Sequence, residues 1–131
     1  MKNSPAGLTR ILVVEDEPAV CQVCQRILTS EGFEVDIAVN GDVAQDMLGK
    51  KDYDLVLIDI RTPVMNGKQL YQVIIEKHPK LANSVIFTTG DVIGKDTTTF
   101  LAQTDRPFLS KPFTPDELKT IAKETLRQIE K

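Results

Sequence analysis

From Arg10 onward, short apolar runs separated by amphipathic stretches recur along the chain, and this rhythm constrains the fold more than any single residue does. Runs such as Ile11 to Val14 and Leu55 to Ile60 are of strand length, and the segments between them carry apolar residues at helical spacing. Strands that are apolar on both faces and alternate with helices belong to a parallel sheet covered on two sides. A chain of 131 residues, 41% of them hydrophobic, can bury such a core as one domain without covalent staples.

Ile11 to Val14 reads as the first strand, followed by an acidic turn and a helix from about Pro18 to Ser30. The proline suits a first helical position, and Gly32 ends the helix. Phe33 to Val39 reads as a second strand. Asn40-Gly41 opens a short helix with Val43, Ala44, Met47 and Leu48 on one face. Leu55 to Ile60 is the central strand, interrupted only by Asp59. After the turn TPVMNG, a third helix carries Leu70, Val73 and Ile74, and Ser84 to Thr89 forms a fourth strand. The segment from Gly94 to Gln103 is a weak helix, since it holds three consecutive threonines. Pro107 to Ser110 is a short fifth strand. Thr114-Pro115-Asp116-Glu117 has the form of a capping box and opens a last helix with Leu118, Ile121, Ala122, Leu126 and Ile129. Residues 1–9 show no period and read as a flexible lead-in to a domain over 10–131.

The formal net charge of −3 gives no electrostatic footprint for direct contact with nucleic acid or an anionic membrane. No apolar stretch approaches the about 20 residues that cross a bilayer, and the N-terminus does not read as a leader, so a cytoplasmic domain is expected. Cys21 and Cys24 form C-x-x-C, which suits a redox pair or half a zinc site. They lie in an apolar helical pattern with Val20, Ile27 and Leu28, however, and the single histidine, His78, is far along the chain. Packing as small hydrophobes is the favoured reading.

In an open parallel sheet, ligands bind beyond the carboxyl ends of the strands. Those ends carry Glu15, Asp16 and Glu17, then Asp59, then Thr88 and Thr89, then Lys111. A carboxylate in an apolar strand is costly to desolvate and needs a partner, although Asp59 also suits a plain turn position. Glu15, Asp16 and Asp59 converge with no arginine among them, and clustered hard oxygens call for a divalent cation such as Mg²⁺, or Mn²⁺ in its place. With the cation, Asp59 stays ionised and nucleophilic toward phosphorus. Lys111 can neutralise phosphoryl oxygen, and Thr89 can donate a hydrogen bond to it.

VVEDEP after the first strand, LIDIRTPVMNG around Asp59, TTG after the fourth and SKPF after the fifth together resemble the response-regulator receiver family of two-component and phosphorelay signalling. The resemblance covers about Arg10 to Lys131. It implies the flavodoxin-like, doubly wound α/β fold: five parallel strands in the order 2-1-3-4-5, with five helices. It further implies that Asp59 is the phosphoacceptor, that Asp16 ligates Mg²⁺ directly, and that Glu15, where the family most often has aspartate, acts through water or adjusts the metal geometry. The backbone carbonyl of Arg61 would complete the metal shell, with Glu17 outside the pattern and solvated. Thr89 would be the switch hydroxyl and Lys111 the phosphate-binding lysine. Phe108 would be the rotating switch ring, with plain core packing at the sheet edge as the competing reading. Thr62 stands where the family usually has methionine. Arg61 and Asp91 lie where the family tunes access of water to the phosphoryl group, either paired across the site mouth or solvated.

The implied partner is a histidine kinase or a histidine phosphotransfer protein, whose phosphohistidine donates to Asp59. Output, and a possible homodimer, would use the face of the fourth helix, fifth strand and fifth helix. TTGD and FLSKPF are similar to receivers of hybrid sensor kinases. Such a domain promotes its own phosphorylation and dephosphorylation but is not a turnover enzyme. Two other classes remain. Asp59-Ile60-Arg61-Thr62 nearly spells the D-x-D-x-T of aspartate-nucleophile phosphatases, but Arg61 replaces the acid that would protonate a leaving group. A phosphorylation-independent interaction module or a flavin-binding relative would lack Mg²⁺ binding or carry a yellow cofactor.

Overall fold

The computed structural model describes residues 9–61, 65–90 and 95–129, with the side chains of 95, 96 and 129 excepted. Expectations on the lead-in through residue 8, on Thr62 and on Asp91 lie outside the described residues.

Five strands, β1 (Arg10–Val14), β2 (Glu34–Ala38), β3 (Leu55–Asp59), β4 (Val85–Thr89) and β5 (Phe108–Ser110), pair in parallel in the order β2-β1-β3-β4-β5. They alternate with α1 (Pro18–Ser30), α2 (Gly41–Leu48), α3 (Gly67–Lys77), α4 (Lys95–Thr104) and α5 (Pro115–Ile129). This is the flavodoxin-like doubly wound fold, and the sheet order reverses where β1 lies between β2 and β3.

Successive strand residues face opposite sides of a sheet, so each strand feeds two cores. Leu12, Val14, Val56, Ile58 and Phe87 pack with Ala44, Leu48, Leu70, Ile74 and Leu101 of α2, α3 and α4. Ile11, Val13, Leu55, Leu57 and Ile86 pack with Cys24, Ile27, Leu28, Leu118, Ala122 and Leu126 of α1 and α5. Two-sided burial of β1 and β3 is why their sequences are continuously apolar.

The helix ends follow from local chemistry. Behind α1, Gly32 takes φ +92°, and the amides of Gly32 and Phe33 donate to the carbonyls of Thr29 and Leu28, a Schellman closure that glycine permits. The Asn40 side chain accepts from the Val43 amide at α2. Asn66 and Gln69 exchange reciprocal bonds at α3, as Thr114 and Glu117 do at α5. The threonine-rich α4 forms despite its poor propensity. Its Phe100 stacks edge-on against Phe87 and Tyr71, with centroids 5.1 and 6.2 Å apart, so tertiary packing outweighs local preference.

Phe33, Val39 and Ile60 fall just outside the strands expected to contain them, and Ser84 ends a 3₁₀ turn (Leu81–Ser84) ahead of β4. Val43 is exposed and does not share the buried face of α2. Among the described residues, no helix is long and apolar enough to cross a membrane.

Candidate functional site

The carboxyl ends of β1, β3, β4 and β5 deliver their polar residues to one edge of the sheet. Past β1, the Glu15 amide donates to the Ala38 carbonyl at 2.9 Å, extending the strand's anchoring by one residue. The Glu15 side chain is 2% exposed. Its Oε2 accepts from the Glu17 amide at 3.1 Å, and its carbonyl accepts from Cys21 Sγ. Asp59 ends β3 in a buried position, with Oδ1 accepting from the Arg61 amide at 3.1 Å. Thr89 ends β4, fully buried, between the strands that carry Asp59 and Lys111.

Lys111 follows β5. Its amide donates to the Thr89 carbonyl at 2.8 Å, and its peptide bond to Pro112 is cis. So placed, the ammonium lies 2.9 Å from Glu15 Oε1, 3.1 Å from Asp59 Oδ2 and 3.2 Å from Glu17 Oε1. Oxygens of Glu15, Asp16 and Asp59 all lie within 4.8 Å of one another, with Asp16 the exposed member. The Lys111 ammonium thus meets three carboxylates, two of which cluster with Asp16.

Titration follows from that imbalance. Burial pushes the Glu15 carboxyl above its ordinary range and the neighbouring Asp59 adds to the rise, while the contact with Lys111 opposes it. Burial alone would lower the Lys111 ammonium, but hydrogen bonding to Glu15 and Asp59 outweighs it, so its value is raised. Lys111 is therefore a fixed positive charge.

The expected residues Glu15, Asp16, Asp59, Thr89 and Lys111 come together. One reading is extended and one corrected. Glu17 is exposed, as expected, and its long arm also reaches Lys111, a contact between residues 94 apart in sequence. Phe108 does not pack into the core at the sheet edge. It is 45% exposed, because side chains alternate along β5 and Leu109 takes the inward position. Arg61 meets Asp59 through its amide. Its side chain is exposed, and Asp91, the partner suggested for it, is outside the described residues.

The donor set suits a hard divalent ion. Carboxylate oxygens from three residues, one of them at the solvent edge, match an ion that prefers oxygen and keeps part of its water shell, as Mg²⁺ does. Nitrogen or sulfur donors that would favour zinc are not in the cluster.

A strand-order reversal with acids and a lysine at the strand ends defines an α/β domain of the doubly wound class with a charged edge where such folds take ligands. The family model of the response regulator receiver domain matches residues 11–123. A "Probable transcriptional regulator ycf29" of Porphyra purpurea is 35% identical over 114 residues, which span 86% of this chain and 54% of that protein. The chain thus spans about half the length of that relative. A CheY-like response regulator receiver domain protein from Methanospirillum hungatei superposes with a TM-score of 0.85 at 29% identity, covering 94% of this chain and 97% of that one. The signal receiver domain of a signal transduction histidine kinase from Syntrophus aciditrophicus gives 0.84 at 25% identity, covering 94% and 93%. The chain belongs to the response regulator receiver domain family of two-component signalling, a family of signalling switches and not of classical enzymes.

Proposed function

We propose that this receiver takes a phosphoryl group onto Asp59 from a phosphohistidine of a histidine kinase or phosphotransfer protein, and that the resulting charge resets its output surface. The observation that carries the reading is the position of the Lys111 ammonium, 3.1 Å from Asp59 Oδ2 at the edge where Glu15 and Asp16 also gather. A carboxylate oxygen of Asp59 attacks phosphorus. The new O–P bond forms as the donor's P–N bond breaks, and the electron pair returns to the imidazole nitrogen. Lys111 balances negative charge on the transferring group, and the Arg61 amide holds the other oxygen of Asp59 in place. Asp16, Glu15, Asp59 and the Arg61 carbonyl would hold Mg²⁺ or Mn²⁺. When bound, the ion supplies the positive charge that lets two anionic groups meet.

Thr89 is the hydroxyl that follows the phosphoryl group, and Phe108 is the ring whose turn from its exposed position reports the change at the face of α4, β5 and α5. That face serves output and possible self-association. The groove of Val20, Val23, Pro112 and Phe113 is largely apolar and is bordered by Glu17 and by Lys111, the residue that contacts Asp59, as a surface for the donor would be. Cytoplasmic residence and indirect action on nucleic acid accord with this role. Intact mass after incubation with Mg²⁺ and acetyl phosphate tests it. The wild type gains one phosphoryl mass and Asp59→Ala gains none, whereas equal labelling of both refutes the assignment.

A further inference from the structure

We infer that Glu17 is a positioning residue that competes with the incoming phosphoryl group for Lys111 and so slows the loading of Asp59, a role that rests on the phosphoacceptor reading above. A lysine ammonium has three donor hydrogens. Here three carboxylates stand around it, Glu15 at 2.9 Å, Asp59 at 3.1 Å and Glu17 at 3.2 Å, as many as it has hydrogens, so a phosphoryl oxygen arriving at the ammonium competes with them. One partner must yield when phosphate arrives.

The three partners differ in what release costs. Glu15 is buried, and losing the cation would leave its charge uncompensated. Asp59 is the group that receives the phosphoryl. Glu17 is 63% exposed, and water can replace the lysine there at little cost. Local structure explains why its carboxylate is available. Glu17 is the N-cap residue of α1, with φ −84° and ψ 116°, yet its side chain makes no capping bond. The shorter Ser, Asp or Asn would fold back onto the helix amides, whereas the glutamate extends to Lys111. Its own amide donates to Glu15 Oε2, which fixes the start of that reach. In the step proposed, a hydrogen bond from Nζ to Glu17 is exchanged for one to a phosphoryl oxygen, with no proton transferred and no covalent bond changed.

The test is the time course of labelling by acetyl phosphate with Mg²⁺, followed by intact mass in wild type, Glu17→Gln, Lys111→Met and the double variant. Glu17→Gln should load Asp59 about twofold to fivefold faster, the range one partly exposed ion pair can supply, and should change nothing in the Lys111→Met background. A gain that persists without Lys111 would mean that Glu17 acts by its field alone and overturns the proposal, as would a wild-type rate in Glu17→Gln. A melting-temperature cycle on the same four proteins in chelator reads the pair without any phosphoryl transfer. Non-additive shifts are expected, and additive shifts overturn the latch. Absence of label on wild-type Asp59 would refute the phosphoacceptor reading, while the melting cycle would still decide whether Glu17 and Lys111 act as a pair.

Discussion

The ammonium of Lys111 and the carboxylate of Asp59, 52 residues apart in the chain, meet at 3.1 Å across the ends of two strands that are not neighbours in the sheet. β4 lies between them, and the bond from the Lys111 amide to the Thr89 carbonyl fixes how far along the edge the lysine emerges. The contact thus reports both the sheet order and the register of β5. It also sets the electrostatics of the site, since this lysine pairs with three of a group of acids that repel one another.

Removing that cation should cost stability. Lys111→Met leaves Glu15 and Asp59 buried without their shared partner, and we expect a loss of about 1–3 kcal/mol in chelator. The figure lies below that for a sealed pair because the lysine side chain keeps 16% of its exposure. Mg²⁺ should restore part of the loss by binding the folded state alone. Urea unfolding with chelator and with Mg²⁺ checks both. A midpoint equal to the wild type's in chelator would show that the ammonium does not stabilise the cluster.

Glu15 gives a pH dependence with a defined sign. Its folded carboxyl is raised above the ordinary 4.5, chiefly by burial, so the folded state holds that proton more tightly than the unfolded chain does. Its favourable contribution is therefore present below 4.5 and is lost as pH rises through the raised value. Glu15→Gln cannot titrate. Melted in chelator from pH 4 to pH 7.5, it should gain stability relative to wild type as pH rises. A difference that stays constant across the range would refute the raised value.

Most of this site was readable because burial and chemistry conflict at Asp59. A continuously apolar strand ending in a carboxylate announces a group that needs partners, and the strand-end rule gathers Glu15, Asp16, Thr89 and Lys111 around it. Apolar rhythm also sufficed for the five strands and five helices. The Glu17 contact was not readable, since it depends on a side chain 94 residues from Lys111 choosing the lysine over its own helix. Exposure of Phe108 depends on which way a three-residue strand is phased, and three residues are too few for a pattern to declare itself. The strand ends at Phe33, Val39 and Ile60 differ because apolar residues flank the paired positions on either side, and the Ile60 amide still donates to the Thr88 carbonyl beyond the last pair.

Gly67 presses α3 against the end of β3. A Cβ there would lie 2.7 Å from Ile60 Cα and 3.0 Å from the Asp59 carbonyl oxygen, both backbone atoms that cannot swing aside. Gly67→Ala should therefore push the helix start away from the strand end, costing about 1–3 kcal/mol and slowing the labelling of Asp59. Gly49→Ala is the control, since its Cβ would meet Asp46 O at an ordinary 3.5 Å. Urea midpoints that fall equally for both would mean that the close approach at Gly67 is not what matters.

The C-x-x-C on α1 yields a prediction that separates packing from redox chemistry. Cys24 is buried in the core with Ile27 and Leu28, and burial pushes its thiol up to about 12. Cys21 is raised as well, by burial first and then by Glu15 and Asp16, and its Sγ donates to the Glu15 carbonyl. The thiolate is the reactive form, and at pH 8 a thiol near 12 is ionised only about once in 10⁴ molecules. Ellman's reagent at pH 8 should therefore react slowly with Cys21 in the native protein and with Cys24 only at the rate of unfolding, while both react at once in urea. An oxidant should not join them without first distorting the helix, because residues three apart on a helix hold their Cβ atoms about 5–6 Å apart, beyond the roughly 3.5–4.5 Å a disulfide needs. Rapid release of two equivalents from the native chain, or a disulfide formed without loss of helical signal, would make the pair a redox couple and not one core and one half-buried helix residue.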